Sequence, residues 1–154
     1  MLPLGTAMPP FSLPDTVSGR VVSSSELQGQ PSVVIFICNH CPYVQHIRGG
    51  LAELGRFCQE RGAGMVAISS NDVATYPADS PEMMKHEAAS AGYVFPYLFD
   101  ESQQVARAFR AEEVLSDHRR KEENGGLRWH FVEPDEQDLR LWYYPGAPRP
   151  LWGY

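Results

Sequence analysis

With 154 residues, 43% of them hydrophobic and 21% charged, the chain is long enough to enclose a core as one domain, 1–154. A net charge of −6 with no basic cluster argues against a nucleic-acid surface, and no apolar run nears the roughly 20 residues of a membrane-crossing helix. Met1-Leu2-Pro3-Leu4-Gly5 does not read as a signal peptide. A cytoplasmic setting is therefore expected, where three cysteines do not make a disulfide framework.

Residues 1–30 read as an N-terminal extension rich in Pro, Ser and Gly, in which Val21-Val22 and Leu27 suggest a short strand and a helical turn. Val33-Val34-Ile35-Phe36-Ile37-Cys38 is an unbroken, mostly β-branched apolar run. It suits a strand buried on both faces of a mainly parallel sheet. After Pro42 the period becomes helical: Val44, Ile47, Leu51, Leu54 and Cys58 draw one apolar stripe. Gly49-Gly50 inside that helix costs about 1 kcal/mol per residue relative to alanine, and nothing in the sequence explains the pair. Gly62 and Gly64 close the helix, and Met65-Val66-Ala67-Ile68 reads as the next buried strand, which completes a βαβ unit.

Ser80-Pro81-Glu82 predicts a helix start, serine as N-cap and proline at the first helical position, with a stop at Gly92. Tyr97-Leu98-Phe99 predicts a short strand, and Asp100 with Gln103 can cap a helix carrying Val105, Ala108 and Phe109. Residues 31–110 thus form a core unit, and residues 111–154 a divergent C-terminal segment holding all three tryptophans. Within that segment, Leu127 to Val132 and Leu139 to Tyr144 suggest two antiparallel strands.

The chemistry concentrates at Cys38-Asn39-His40-Cys41. In βαβ sheets, sites gather beyond the carboxyl ends of the strands, and this dithiol stands there. Disulfide exchange needs a thiolate. With Cys38 as helix N-cap, its sulfur would face the free N–H groups of the first turn, and its pKa would fall below the free value of roughly 8.5. Cys38 is then the nucleophile, Cys41 one turn later the resolving thiol, and a protonated His40 a second stabiliser of the anion. Two other readings exist. The cysteines could be plain core residues, or they could hold a metal with His40 or His46, although four-ligand structural zinc lacks a second Cys/His pair here. Cys58 belongs to the apolar stripe and reads as structural. His46, His86, His118 and His130 read as solvated.

The strings Phe36-Ile37-Cys38-Asn39-His40-Cys41-Pro42-Tyr43-Val44, Ser70-Asn71-Asp72, Tyr76-Pro77-Ala78-Asp79-Ser80-Pro81 and Phe95-Pro96-Tyr97-Leu98-Phe99-Asp100-Glu101, with Pro9-Pro10-Phe11-Ser12-Leu13-Pro14-Asp15, resemble the peroxiredoxin-like bacterial branch of the thioredoxin superfamily, grouped with alkyl hydroperoxide reductase/thiol-specific antioxidant redoxins. The resemblance covers roughly residues 4–110. It implies an α/β thioredoxin-like fold, a central mixed sheet flanked by helices, and thiol-disulfide oxidoreductase or antioxidant activity. The expected partners are a protein or small-molecule disulfide substrate and a recycling reductant. No cofactor and no metal are expected, and the substrate-binding residues are unknown.

Two departures shape the expectation. Peroxiredoxins carry Pro-x-x-x-Thr/Ser-x-x-Cys, which would align its cysteine with Cys41. The threonine position is then Cys38, which argues against peroxidase activity by that mechanism. The proline that thioredoxin folds set opposite the dithiol is also missing after Phe109-Arg110-Ala111, with Pro134 the only later candidate before the tail. A thiol peroxidase, or a non-catalytic redoxin binding a partner or a metal such as copper, stand as alternatives to the oxidoreductase.

Overall fold

The strand expected at 33–38 forms as β3, Ser32–Phe36, in a computed structural model that describes residues 5–111 and the backbone of 129–132. Its neighbour β4, Gly64–Ser69, runs parallel to it, Val34 facing Val66 and Phe36 facing Ile68. β5, Tyr97–Phe99, adds in parallel on the far side of β4. Helix α1, Pro42–Glu60, makes the crossover between β3 and β4.

The C-terminal segment contributes β6, Trp129–Val132, antiparallel to β3, so the sheet order is β5-β4-β3-β6. One of the two strands expected there therefore forms, and it pairs with β3. The stretch 139–144 lies outside the described residues, as does Pro134. Among the described residues no peptide bond is cis.

Because side chains alternate along a strand, the sheet sends two apolar sets in opposite directions. Val33, Ile35, Ile37, Met65, Ala67 and Tyr97 pack with Val44, Leu51 and Cys58 of α1 and with Met84 and Ala88 of α2, Pro81–Ala91. Val34, Val66, Ile68 and Leu98 pack instead on Phe11, Leu13, Val22 and Leu27 and on Phe109, beyond α3 (Gln104–Ala108). The first of these layers comes from β1 (Ser12–Pro14) paired with β2 (Val21–Ser23), and from a 3₁₀ turn at Ser24–Leu27. Asp15 ties that layer to the sheet: its Oδ1 accepts from the Tyr97 N–H at 3.0 Å.

Local signals read from the sequence act as expected in α2. Ser80 is the N-cap, its hydroxyl accepting from the Met83 N–H, and Gly92 closes the helix at φ 73°. The cap of α3 differs from expectation. Gln103 holds the N-cap position but its amide turns to the Ser70 carbonyl, and the first-turn N–H groups go instead to the Ser102 hydroxyl, from Gln104 at 3.2 Å, and to Asp100 Oδ2, from Ala106 at 3.0 Å. Ala108 is exposed and Ala106 is buried in its stead. No helix among the described residues is long and apolar enough to cross a membrane.

Gly49 and Gly50 face open space, and no contact explains them. Gly55 is different, since a Cβ there would lie 2.5 Å from Cδ1 of the buried Phe95 ring. Overpacking of this kind costs typically 1–3 kcal/mol. Gly55→Ala is expected to lower unfolding stability by about 2 kcal/mol despite alanine's better helix propensity. A denaturant titration that finds it unchanged or more stable would show that Phe95 yields freely.

Candidate active site

The dithiol lies where β3 leaves the sheet. The last ladder bond is Ile37 N–H to the Ile68 carbonyl at 3.0 Å, after which Cys38, Asn39 and His40 turn toward α1. The helix begins three residues later than expected: Cys41, not Cys38, is the N-cap, and Pro42 is the first helical residue. Proline is tolerated there because first-turn N–H groups have no helical partner. The N-terminus that was to serve Cys38 therefore belongs to Cys41. Both sulfurs are free thiols, and each residue is 8% exposed.

A residue given no role by the sequence reading organises the turn. Asp79 ends a 3₁₀ turn, Pro77–Asp79, just before the Ser80 cap, and it is fully buried. Its Oδ1 accepts from the backbone N–H of Asn39 at 2.7 Å and of His40 at 3.1 Å. Its Oδ2 accepts from the Asn71 amide at 2.8 Å and meets His40 Nδ1 at 2.5 Å. The His40 ring lies flat on Tyr76, centroids 4.3 Å apart. Asn39 completes the brace, its amide donating to the Ala78 carbonyl at 2.8 Å and its Oδ1 accepting from the Tyr97 hydroxyl at 3.1 Å.

These surroundings reverse the electrostatic expectation for Cys38. Burial, then the Asp79 carboxylate, then Cys41 push its thiol up to about 12, against smaller opposing hydrogen bonds from the Cys41 N–H and the Asn71 side chain. His40 turns its Nδ1 to Asp79 and away from a direct bond to the sulfur. Cys38, His40 and Asp79 nevertheless bring one ligand atom each to within 4.8 Å of one another. His46 and His86 are exposed and stand apart from this group, and His118 lies outside the described residues.

Cys58 sits on the apolar stripe of α1 as expected, 4% exposed, and burial raises its pKa. Since the thiolate is the reactive form, native alkylation with iodoacetamide should leave Cys58 unmodified until the chain unfolds. Fast native labelling, read by peptide mass, would mean that α1 opens locally.

Comparison with known proteins agrees with this architecture. Residues 4–140 match the AhpC/TSA family. A conserved protein from Geobacillus kaustophilus is 46% identical, with a TM-score of 0.69 over 71% of this chain and 59% of that one. A hypothetical protein from Sinorhizobium meliloti is 39% identical, with a TM-score of 0.67 over 71% of this chain and 60% of that one. A thiol:disulfide interchange protein of the thioredoxin family from Chlorobium tepidum shares the fold at 23% identity, TM-score 0.57, over 69% of this chain and 67% of that one. The chain thus spans about three fifths of the length of the first two proteins. No curated protein matches it. The α/β thioredoxin-like fold expected from the sequence is the one observed.

Proposed function

The chain belongs to the AhpC/TSA family of thioredoxin-like redoxins, and from that premise we propose that it is a thiol-disulfide oxidoreductase working through a Cys38/Cys41 couple. The observation that carries the reading is the pairing of two free, nearly buried thiols, Cys38 and the helix N-cap Cys41, at one strand-to-helix junction.

In this reading Cys38 is the nucleophile, but its activation differs from the one the helix N-terminus would give. Its proton leaves as attack proceeds, and the acceptor in reach is the His40–Asp79 pair. Here a base held by a third group activates the nucleophile. Cys38 sulfur bonds to one sulfur of the substrate disulfide, and the other leaves as a thiolate. Cys41, on the helix N-cap, then attacks the Cys38 sulfur. The second substrate thiol departs, and the protein is left as a Cys38–Cys41 disulfide. An external thiol reductant returns it to the dithiol.

The test is a glutathione redox titration of the full chain, read by mass. One intramolecular disulfide per chain, confined to Cys38 and Cys41, is the expected product. If no such disulfide forms at any potential, the oxidoreductase reading fails.

A second reading, thiol peroxidase, gains from one observation: Cys41 holds the N-cap, and it is the cysteine that aligns with the peroxidatic position of the family. Peroxide would oxidise Cys41 to a sulfenic acid as its O–O bond breaks, and the Cys38 thiol would condense with it, releasing water. Peroxide-dependent formation of the disulfide at micromolar peroxide would favour this reading over exchange.

A further inference from the structure

Asp79 raises a question of charge that the redox reading does not answer. A carboxylate with no exposure is costly unless its charge is compensated. Three of its four contacts, the N–H groups of Asn39 and His40 and the Asn71 amide, are neutral donors. The fourth is the His40 ring, itself within ligand distance of a cysteine. Two segments 39 residues apart thus bring a thiol, an imidazole and a buried carboxylate to one point.

We propose that Cys38, His40 and Asp79 form a zinc site with an open fourth position. Thiolate, imidazole and carboxylate are the three donor types zinc takes, and three protein ligands with one vacancy is the pattern of its non-structural sites. Bond lengths of about 2.0–2.3 Å set tetrahedral donors roughly 3–4 Å apart. The group, with no pair of atoms beyond 4.8 Å, closes to that spacing by small side-chain rotations, and the 2.5 Å contact between His40 and Asp79 opens slightly.

The ion replaces the Cys38 thiol proton, and the ring proton between His40 and Asp79 passes to the other imidazole nitrogen, so His40 ligates as a neutral imidazole. Its two positive charges match one thiolate and one carboxylate. The outer contacts are already in place: the Asp79 oxygens hold the Asn39 and His40 N–H groups and the Asn71 amide, and Tyr76 stacks on the imidazole. Such partners orient ligands and raise metal affinity. Cys41 is not in the group. That separates this site from a simple chelate of the two cysteines.

A zinc ion here binds only the dithiol form, because the Cys38–Cys41 disulfide removes the thiolate. Zinc therefore holds the couple reduced and protects it from oxidation. The site does not rest on the redox reading, since an inert dithiol could bind the ion equally well.

The test is titration of the full-length, reduced chain with zinc against a chromophoric chelator. One ion per chain is expected. Cys41→Ser should bind as the wild type does, and Asp79→Asn should bind at least about tenfold more weakly. Absence of zinc binding overturns the proposal. So does binding that requires Cys41 and ignores Asp79, the behaviour of a dithiol chelate. Because Asp79 also holds the N–H groups of the turn, cobalt substitution of the wild type gives a readout independent of any variant. The near-ultraviolet sulfur-to-cobalt band should carry the intensity of one thiolate, and an intensity of two refutes the site. Disulfide formation is followed separately on metal-free protein, so the zinc site and the oxidoreductase reading can fail independently.

Discussion

Replacing Cys41 by serine is expected to trap a covalent mixed disulfide between Cys38 and a substrate, whereas Cys38→Ser should trap none. The asymmetry follows from the division of labour at the turn. Attack by Cys38 links it to substrate, and Cys41, three residues on at the N-cap of α1, is placed to break that link. Without Cys41 the linkage persists until an outside thiol resolves it. Both variants should lose insulin reduction down to the uncatalysed rate. Neither should unfold the chain, since serine is close in size to cysteine. Each leaves a hydroxyl in a nearly buried place, at a cost of about 1–3 kcal/mol if it finds no partner. The adduct is read by intact mass after incubation with a mixed-disulfide substrate. An adduct on Cys41 in the Cys38→Ser chain, and none in the reverse variant, would exchange the two roles. It would also favour the peroxidase reading, in which Cys41 reacts first.

The sequence made the frame of this molecule legible where a residue acts through its own neighbours. Ser80 and Gly92 bound α2 because a hydroxyl cap and a left-handed residue are local devices. The apolar run at 33–37 declared a strand buried on both faces, and the stripe from Val44 to Cys58 declared the face α1 would bury. The dithiol was legible for the same reason, since its spacing is a contact in itself.

What escaped was whatever the fold assembles from a distance. Asp79 lies 39 residues from His40 and is one acid among nineteen acidic residues, with no spacing to mark it. A string containing it carried the family resemblance, but no chemistry attached to that carboxylate until the 3₁₀ turn at 77–79 was seen to deliver it under the Cys38–Cys41 turn. The start of α1 moved from Cys38 to Cys41 for a related reason. Asp79 takes the N–H groups of Asn39 and His40, so those residues turn toward it and the helix waits for Pro42. The Cys38 thiol is pushed up for reasons the spacing does not carry: the fold buries it, sets the Asp79 carboxylate beside it and gives the helix terminus to Cys41.

Asp79→Asn is expected to move two properties of Cys38 in opposite directions. The carboxylate is the second largest cause of the raised Cys38 pKa, after burial. Removing its charge brings the thiol down from about 12, although burial still holds it high. At any fixed pH below that value the thiolate fraction rises, about tenfold for each unit of descent, and alkylation of Cys38 should quicken in step. Turnover of a protein disulfide should fall at the same time, because the His40–Asp79 pair that receives the proton during attack loses its carboxylate, which orients the imidazole and stabilises its charge. Loss of a positioned base typically costs about 100-fold or more. A purely structural role would not divide the effects this way, since a loosened turn would speed alkylation without weakening a base. Stability supplies the control. Asp79→Ala strips the acceptor from the Asn39 and His40 N–H groups and from two side chains, and a buried donor left unpaired costs about 1–3 kcal/mol. A loss of about 3 kcal/mol is expected from urea unfolding. Asparagine, which keeps an oxygen for the two N–H groups, should lose about half as much. If Asp79→Asn raises both alkylation and turnover, the carboxylate only suppresses the thiol and the base assignment is wrong. If it changes neither, Cys38 does not feel Asp79 at all, and burial alone sets the thiol.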